Sequence, residues 1–132
     1  MMKTILFACV ENACRSPMAE AWARYLGGER VSAWSAGSHP SAEVNPQARL
    51  VMRERGIELA DATPKRFEAL PELTWDVVVT MGCGDECPWI PARRHVAWGI
   101  PDPKGQSLEV FRQVRGEIER RARELLKTLD ST

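Results

Sequence analysis

Residues 9–16 read CVENACRS, and what stands on either side of this stretch decides the fold. The segment from Lys3 to Val10 that leads into it is mostly apolar, which predicts a buried parallel strand. Behind it, Ser16 and Pro17 predict a helix with Ser16 as its N-cap and Pro17 at its first position. A strand, a short loop and a helix in this order predict an α/β unit whose loop faces the positive end of a helix.

The rest of the chain repeats this alternation. Gly27 and Gly28 predict the end of the first helix, and Asn45 with Pro46 predicts the start of the second. Further strands are predicted at 31–36, 77–80 and 95–98, the second helix ends near residue 55, and a last helix begins at Ser107. The alternation predicts a parallel sheet flanked by helices on both faces, in a single domain spanning 1–132.

Composition narrows the class of protein. The chain has 132 residues with 18 basic and 18 acidic side chains. It therefore lacks the excess of basic residues that nucleic-acid-binding proteins usually show. No apolar run approaches the length of about 18 residues that a membrane span needs. The apolar run at residues 5–10 is also too short for a secretory signal. We therefore expect a cytoplasmic protein, in which grouped cysteines are catalytic, redox-active or metal-binding rather than structural disulfides.

The stretch at 9–16 has the residues and the position, between a strand and a helix, that are typical of an anion-binding loop. Backbone N–H groups between a strand and a helix N-terminus, together with the helix dipole, can hold a tetrahedral oxyanion. The Arg15 guanidinium suits two of its oxygens, and the same field favours the nucleophilic thiolate of Cys9. Ser16 could donate to that thiolate and Asn12 could brace the loop. The expected oxyanion-binding residues are Val10, Glu11, Asn12, Ala13, Cys14, Arg15 and Ser16. The alternative is a buried strand-end cysteine beside an unrelated surface arginine.

The residues from Ile5 to Glu20, above all Cys9–Ser16 followed by PMAE, resemble the low-molecular-weight tyrosine phosphatase superfamily. That superfamily includes the thiol-dependent arsenate reductases. The resemblance runs from Lys3 to about Leu126. It implies a four-stranded parallel sheet flanked by helices, with Cys9 as the catalytic nucleophile and Arg15 as the oxyanion binder.

The block TMGCGDECP at residues 80–88 resembles the second and third cysteines of the arsenate reductases. The resemblance implies that Cys9 attacks arsenate, that Cys83 then attacks Cys9, and that Cys87 finally attacks Cys83. Thioredoxin or a low-molecular-weight thiol system would reduce the resulting disulfide, and phosphate would compete with arsenate. A buried cysteine with a bystander remains an alternative, and so does a zinc site, although the spacing does not match the usual zinc motifs.

Asp102 and Pro103 resemble the superfamily's general-acid dipeptide, in which Asp102 would protonate the leaving oxygen. Cys9, Cys83 and Asp102 each follow a predicted strand, so the three could reach one crevice at the carboxyl edge of the sheet. Tyrosine phosphatases of this superfamily usually place aromatic residues after the dipeptide. This chain has Lys104 and Gly105 there, which favours a small inorganic substrate.

Two other functions remain open. Cys14, directly before the arginine, is typical of the phosphatases, and it could form a protective disulfide with Cys9 or have no role. A low-molecular-weight protein tyrosine phosphatase is therefore the first alternative, and weak phosphatase activity is expected in either case. The second is a non-catalytic sensor of oxyanions or thiols, which would have no need of Asp102.

No metal and no cofactor are expected. Some arsenate reductases bind potassium beneath the anion loop, and Asn12, Glu20 and Ser35 match three of its ligands. Where those enzymes have an aspartate this chain has Lys65, whose ammonium could replace the ion and pair with Glu20.

Overall fold

The computed structural model describes residues 2–59, 62–82 and 88–129, and it is built around a four-stranded parallel sheet. The strands lie in the order β2-β1-β3-β4, with bounds β1 (Lys3–Cys9), β2 (Val31–Gly37), β3 (Trp75–Thr80) and β4 (Ala92–Ala97). The α-helices are α1 (Arg15–Gly27), α2 (Pro46–Arg53) and α3 (Leu108–Leu129), and 3₁₀ turns lie at Gly28–Arg30 and Phe67–Ala69. The predicted α/β fold with four parallel strands is confirmed.

Strand β1 lies inside the sheet and brings Cys9 to its carboxyl edge. All five residues from Ile5 to Cys9 are buried, which explains why this segment is apolar on both faces. The register pairs Cys9 with Gly37 of β2 and Ala8 with Thr80 of β3. Because the three strands end together, the segments that follow them meet at one edge, where parallel sheets bind ligands.

The two faces of the sheet are covered differently. One face, with Ile5, Phe7, Val77 and Val79, packs against buried side chains from all three α-helices. The opposite face, which includes Leu6 and Trp75, packs against the 3₁₀ turn Phe67–Ala69 and neighbouring loops. The sequence predicts helices on both faces, and the second face of the described structure is covered by this 3₁₀ turn rather than by an α-helix.

The long helix α3 is amphipathic, as the sequence predicts. Its buried residues recur at helical spacing and include Phe111, Val114, Ile118 and Leu125. Ser107 caps it, since Ser107 Oγ accepts a hydrogen bond from the Val110 N–H at 3.3 Å. Within the described ranges, no helix has the length and hydropathy that crossing a bilayer requires.

The start of α1 corrects one prediction. The helix begins at Arg15 with Cys14 at the N-cap, and no side chain caps it. Ser16 is therefore not the N-cap, and Pro17 lies at the third helical position. The Ser16 hydroxyl is engaged elsewhere, because it contacts Asn12 and Cys9.

Strand β4 begins earlier than the sequence predicts, at residue 92 rather than 95. Its first residues include Arg93 and Arg94, whose side chains are exposed because β4 is an edge strand. Polar side chains on an edge weaken the hydrophobic pattern that indicates a strand. Helix α2 has the predicted cap, with Asn45 Oδ1 accepting from the Gln47 N–H at 2.8 Å, and ends two residues before the predicted Arg55.

Candidate active site

Cys9 ends β1 and opens the anion loop, by which we mean residues Cys9–Ser16. Cys9 is 3% exposed, and its Sγ lies 2.9 Å from Ser16 Oγ. Asn12 Nδ2 donates a hydrogen bond to the same Ser16 oxygen at 2.7 Å. Because this oxygen accepts from Asn12, the Ser16 hydrogen is available to Cys9 Sγ, where it would stabilise a thiolate.

The backbone carbonyls of the anion loop are bonded to the segment after β2. The bonds run from His39 N–H to Val10 O at 2.8 Å, from Ser41 N–H to Glu11 O at 3.0 Å, and from Asn45 N–H to Ala13 O at 3.0 Å. In a trans peptide the next N–H points opposite to the carbonyl. The N–H groups of residues 11, 12 and 14 therefore face away from this segment, which is the arrangement that binding an oxyanion requires.

Asn12 and Gly37 fix the shape of the loop. Asn12 has a φ of 51°, in the left-handed region that asparagine tolerates better than most residues. Its Oδ1 accepts a hydrogen bond from the Lys65 N–H at 3.0 Å. A Cβ at Gly37 would lie 2.5 Å from Val10 O and 2.9 Å from Asn12 N, so only glycine lets the loop approach the end of β2.

Arg15 lies between the anion loop and the segment that carries Asp102. It is 7% exposed, its Nη1 donates to Ile100 O at 3.0 Å, and its Nη2 lies 3.7 Å from Asp102 Oδ2. Gly82, with a φ of 73°, leaves room for the guanidinium, since a Cβ there would be 2.6 Å from Nη1. The structure therefore brings together three of the predicted catalytic residues, Cys9, Arg15 and Asp102, as wall residues of one small cavity.

A second ion pair joins the same two segments. Lys104 Nζ lies 2.8 Å and 2.7 Å from the two carboxylate oxygens of Glu11. This hydrogen bond lowers the pKa of the Glu11 carboxyl and raises the pKa of the Lys104 ammonium, so both groups are charged at neutral pH. The Lys104 N–H also donates to Asp102 Oδ1 at 3.1 Å.

Comparison with known proteins assigns the chain to a family. The family model described as low molecular weight phosphotyrosine protein phosphatase matches residues 4–132. The chain belongs to this family. Among its curated relatives is a "Glutaredoxin arsenate reductase" from Synechocystis, 39% identical over 95% of this chain and 97% of the relative. An "Arsenate reductase 1" from Bacillus cereus is 40% identical over 96% of both chains.

The chain is also similar to solved structures that are described as arsenate reductases. A structure described as "An arsenate reductase in the phosphate binding state" matches with a TM-score of 0.86 and 37% identity, over 96% of this chain and 98% of the other. A thioredoxin-dependent arsenate reductase from Corynebacterium glutamicum matches with a TM-score of 0.79 and 35% identity, over 98% of this chain and 62% of the other. The resemblance predicted from residues 5–20 is confirmed by these matches.

The second cysteine of the anion loop, Cys14, is a poor candidate for the nucleophile. Burial, followed by the negative charge of Asp102, raises the pKa of the Cys14 thiol to about 12. Cys14 is 5% exposed. A thiol with such a pKa stays protonated at neutral pH and is a poor nucleophile. Of the two thiols in the loop, Cys9, beside Ser16, is therefore the candidate nucleophile.

Two cavities border the loop on different sides. The one lined by Cys9, Arg15 and Asp102 has a volume of only about 10 Å³, room for about one water molecule. The other, of about 730 Å³, is lined by residues that include Asn12, Glu20, Ser35 and Lys65. The larger cavity does not reach Cys9, so its size does not make it the reaction site.

The predicted pairing of Lys65 with Glu20 is wrong. The Glu20 carboxylate does not pair with Lys65: it accepts from Ser35 Oγ at 2.7 Å and pairs with Arg24 at 3.1 Å. The Lys65 ammonium instead lies 3.5 Å from Ser35 O. The expectation that no potassium is required stays a prediction.

The other predicted catalytic residues, Cys83 and Cys87, lie outside the described residues. Sequence reasoning missed three contributors to the site: the Ile100 carbonyl, Gly82 and the pairing of Lys104 with Glu11. Gly82 follows β3 by two residues and could have indicated a close approach. Nothing in the sequence indicates the Lys104 contact, because its partner is 93 positions away.

Proposed function

We propose that this protein reduces arsenate to arsenite through the thiols of Cys9, Cys83 and Cys87. The anion loop alone does not separate reduction from phosphate-ester hydrolysis, because both reactions begin with a cysteine attacking a tetrahedral oxyanion. The observation that carries the conclusion is the full-length similarity, at 39–40% identity, to proteins named arsenate reductase. The enzyme is an arsenate reductase of the low-molecular-weight phosphatase fold.

The first step forms a bond between sulfur and arsenic. The thiolate of Cys9 attacks the arsenic atom, and Asp102 gives a proton to the oxygen that leaves as water. Arg15 and the loop N–H groups bind the remaining oxygens and stabilise their charge in the transition state. Arg15 now donates to Ile100 O, so it would exchange that carbonyl for the substrate.

The second step transfers two electrons. The thiolate of Cys83 attacks Cys9 Sγ, and the pair of electrons of the sulfur–arsenic bond passes to arsenic, which leaves as arsenite. The thiolate of Cys87 then attacks Cys83, which frees Cys9 and leaves a Cys83–Cys87 disulfide. The net change converts arsenate and two thiols into arsenite, one disulfide and water.

An external thiol reductant must reduce that disulfide before the next turnover. Relatives are named for glutaredoxin and for thioredoxin dependence, so either thioredoxin or a low-molecular-weight thiol system is the expected partner. Because the relay needs reduced thiols at rest, we place the protein in the cytoplasm. We also propose that residues 1–132 form one domain that carries the whole reaction, with phosphate as a competitor.

The test compares wild type with Cys83→Ser and Cys87→Ser, using thioredoxin, its reductase and a nicotinamide reductant. We expect sustained arsenite formation only from wild type. Cys87→Ser should release about one arsenite per chain and stop as a Cys9–Cys83 disulfide, which intact mass spectrometry detects. Cys83→Ser should release none.

Aryl-phosphate hydrolysis provides the control, since it needs Cys9, Arg15 and Asp102 but neither of the other thiols. It should persist at a low rate in both variants. Sustained arsenite formation by either variant would contradict the relay. Absence of arsenite from wild type with thioredoxin and with low-molecular-weight thiols, alongside efficient hydrolysis, would favour a phosphatase instead.

A further inference from the structure

The contact between Lys104 and Glu11 connects the anion loop to the acid turn, by which we mean residues Asp102–Gly105. Both carboxylate oxygens of Glu11 lie within 2.8 Å of Lys104 Nζ. Ser41 Oγ donates to the same carboxylate at 3.0 Å, so Glu11 is held from a second side. The ammonium of the acid turn is thereby fixed to a side chain whose own backbone belongs to the anion loop.

The acid turn is compact, so fixing Lys104 also fixes Asp102. The Lys104 N–H donates to Asp102 Oδ1 at 3.1 Å, and the Gln106 N–H donates to Pro103 O at 2.9 Å. Gly105 has a φ of 81°, which closes the turn. With Oδ1 bound in this way, Asp102 Oδ2 is the oxygen directed to Arg15, at 3.7 Å.

The pair also determines the charge at the rim of the site. Glu11 lines the same small cavity as Cys9, Arg15 and Asp102. An unpaired carboxylate at this position would repel an incoming oxyanion, whereas Lys104 neutralises it. The Lys104–Glu11 contact also ties the acid turn to Glu11, so the two segments that carry Glu11 and Asp102 cannot separate around a larger substituent unless the ion pair breaks.

We propose that Lys104 and Glu11 form an ionic latch that positions Asp102 over Cys9 and restricts the site to small tetrahedral oxyanions. Lys104 and Glu11 are thus positioning and specificity-determining residues rather than catalytic ones. The assignment of arsenate as the favoured oxyanion rests on the proposed function, whereas the latch itself concerns any oxyanion bound at the loop.

The test uses three variants of the full chain: Lys104→Met, Glu11→Gln and the double variant. Inorganic phosphate is the binding probe, and its Kd is measured by calorimetry. Lys104→Met leaves the Glu11 carboxylate unpaired and should weaken phosphate binding about two- to fivefold. Glu11→Gln leaves the ammonium unpaired and should strengthen binding by a similar factor. The double variant should return to near the wild-type Kd.

Turnover should follow a different pattern, because each variant opens the latch. All three should lower kcat for arsenate, and all three should raise kcat/KM for an aryl phosphate relative to that for arsenate. Kd values that move in the same direction in both single variants would overturn the proposal, as would an unchanged kcat. A merely structural role would not reverse the sign of the Kd change.

The matched control is Arg53→Met, which breaks a similar two-oxygen contact between Arg53 and Glu58 on the surface. It should leave the phosphate Kd and the kcat unchanged. The calorimetry requires no reduction step, so it tests the latch even if wild type forms no arsenite. That result would overturn the proposed function, and the latch would then be judged by the Kd pattern and by aryl-phosphate turnover.

Discussion

The anion loop provides the oxyanion-binding half of the proposed chemistry and the acid turn provides the proton-donating half. The two regions are held in place by different kinds of contact. In the loop, Asn12 and Ser16 are almost fully buried, and backbone hydrogen bonds fix the loop against its neighbours. In the turn, the side chains of Asp102 and Lys104 are 47% and 54% exposed and are held by charged contacts. Folding therefore fixes the backbone of the binding half, whereas the proton-donating half is held by charged contacts at the surface.

One side chain of the loop, Arg15, should nevertheless change its contact when an oxyanion binds. Arg15, bonded to Ile100 O, occupies the side of the cavity next to the acid turn. The loop keeps its shape because its carbonyl bonds are independent of this arginine. Changes in the two regions should consequently affect different kinetic parameters.

The largest effect should come from Arg15→Lys. An ammonium cannot replace the planar guanidinium at two oxygens, so both binding and transition-state stabilisation are lost. We expect kcat/KM for arsenate to fall about 10³-fold, with a weaker Kd for phosphate. Steady-state kinetics and calorimetry check this, and circular dichroism establishes that the variant is folded. An unchanged phosphate Kd would place the oxyanion away from Arg15.

A smaller effect, confined to turnover, should follow from Asp102→Asn. The amide keeps an oxygen that can accept from the Lys104 N–H, yet it has no proton to give to the leaving oxygen. We expect kcat for arsenate to fall about 10²-fold. Phosphate binding should strengthen slightly, because a negative charge near Arg15 is removed. If Asp102→Asn weakened binding as Arg15→Lys does, the distinction between the two regions would be wrong.

The smallest effect should come from Glu54→Gln, at a contact remote from both regions. Hydrogen bonds from Arg112 and Arg115 on α3 lower the pKa of Glu54 from 4.5 to about 2. A lowered folded-state pKa stabilises the protein above pH 4.5, and this contribution is lost as the pH falls towards 2. The variant should lower Tm at pH 7 by about 1–3 °C and leave arsenate turnover unchanged.

The difference in Tm between wild type and Glu54→Gln is a sharper test when it is measured as a function of pH than at pH 7 alone. The gap in Tm between wild type and Glu54→Gln should shrink below pH 4.5 and close near pH 2. A gap that persists at pH 2 would mean that the glutamine changes packing rather than charge. Glu58→Gln, at another carboxyl whose pKa an arginine lowers, is the matched comparison.

Local patterns in the sequence account for most of the fold. The apolar residues of β1 and the stripe from Phe111 to Leu125 predict their elements because burial at fixed spacing is a strong signal. The start of β4 escapes prediction because an edge strand tolerates Arg93 and Arg94. Ser16 was misassigned as a cap because its hydroxyl has two competing uses, and a sequence does not rank them.

The residues of the candidate site likewise divide into those that the sequence predicts and those that it does not. Cys9, Arg15 and Asp102 are predictable because a known motif fixes their spacing from a strand or a proline. Lys104 and Glu11 are not, since their contact depends on how two loops approach each other after the sheet has formed. The Ile100 carbonyl is not predictable either, because a backbone group has no sequence signature.

The backbone contacts between the anion loop and the segment after β2 determine what could be transplanted to another protein. His39, Ser41 and Asn45 supply the N–H groups that satisfy the loop carbonyls, and Gly37 supplies the clearance. An octapeptide copied from 9–16 into a foreign strand–helix junction would retain its thiol and guanidinium but lose its geometry. The smallest portable unit is therefore a pair of segments, 9–16 and 37–45, carried on two adjacent parallel strands.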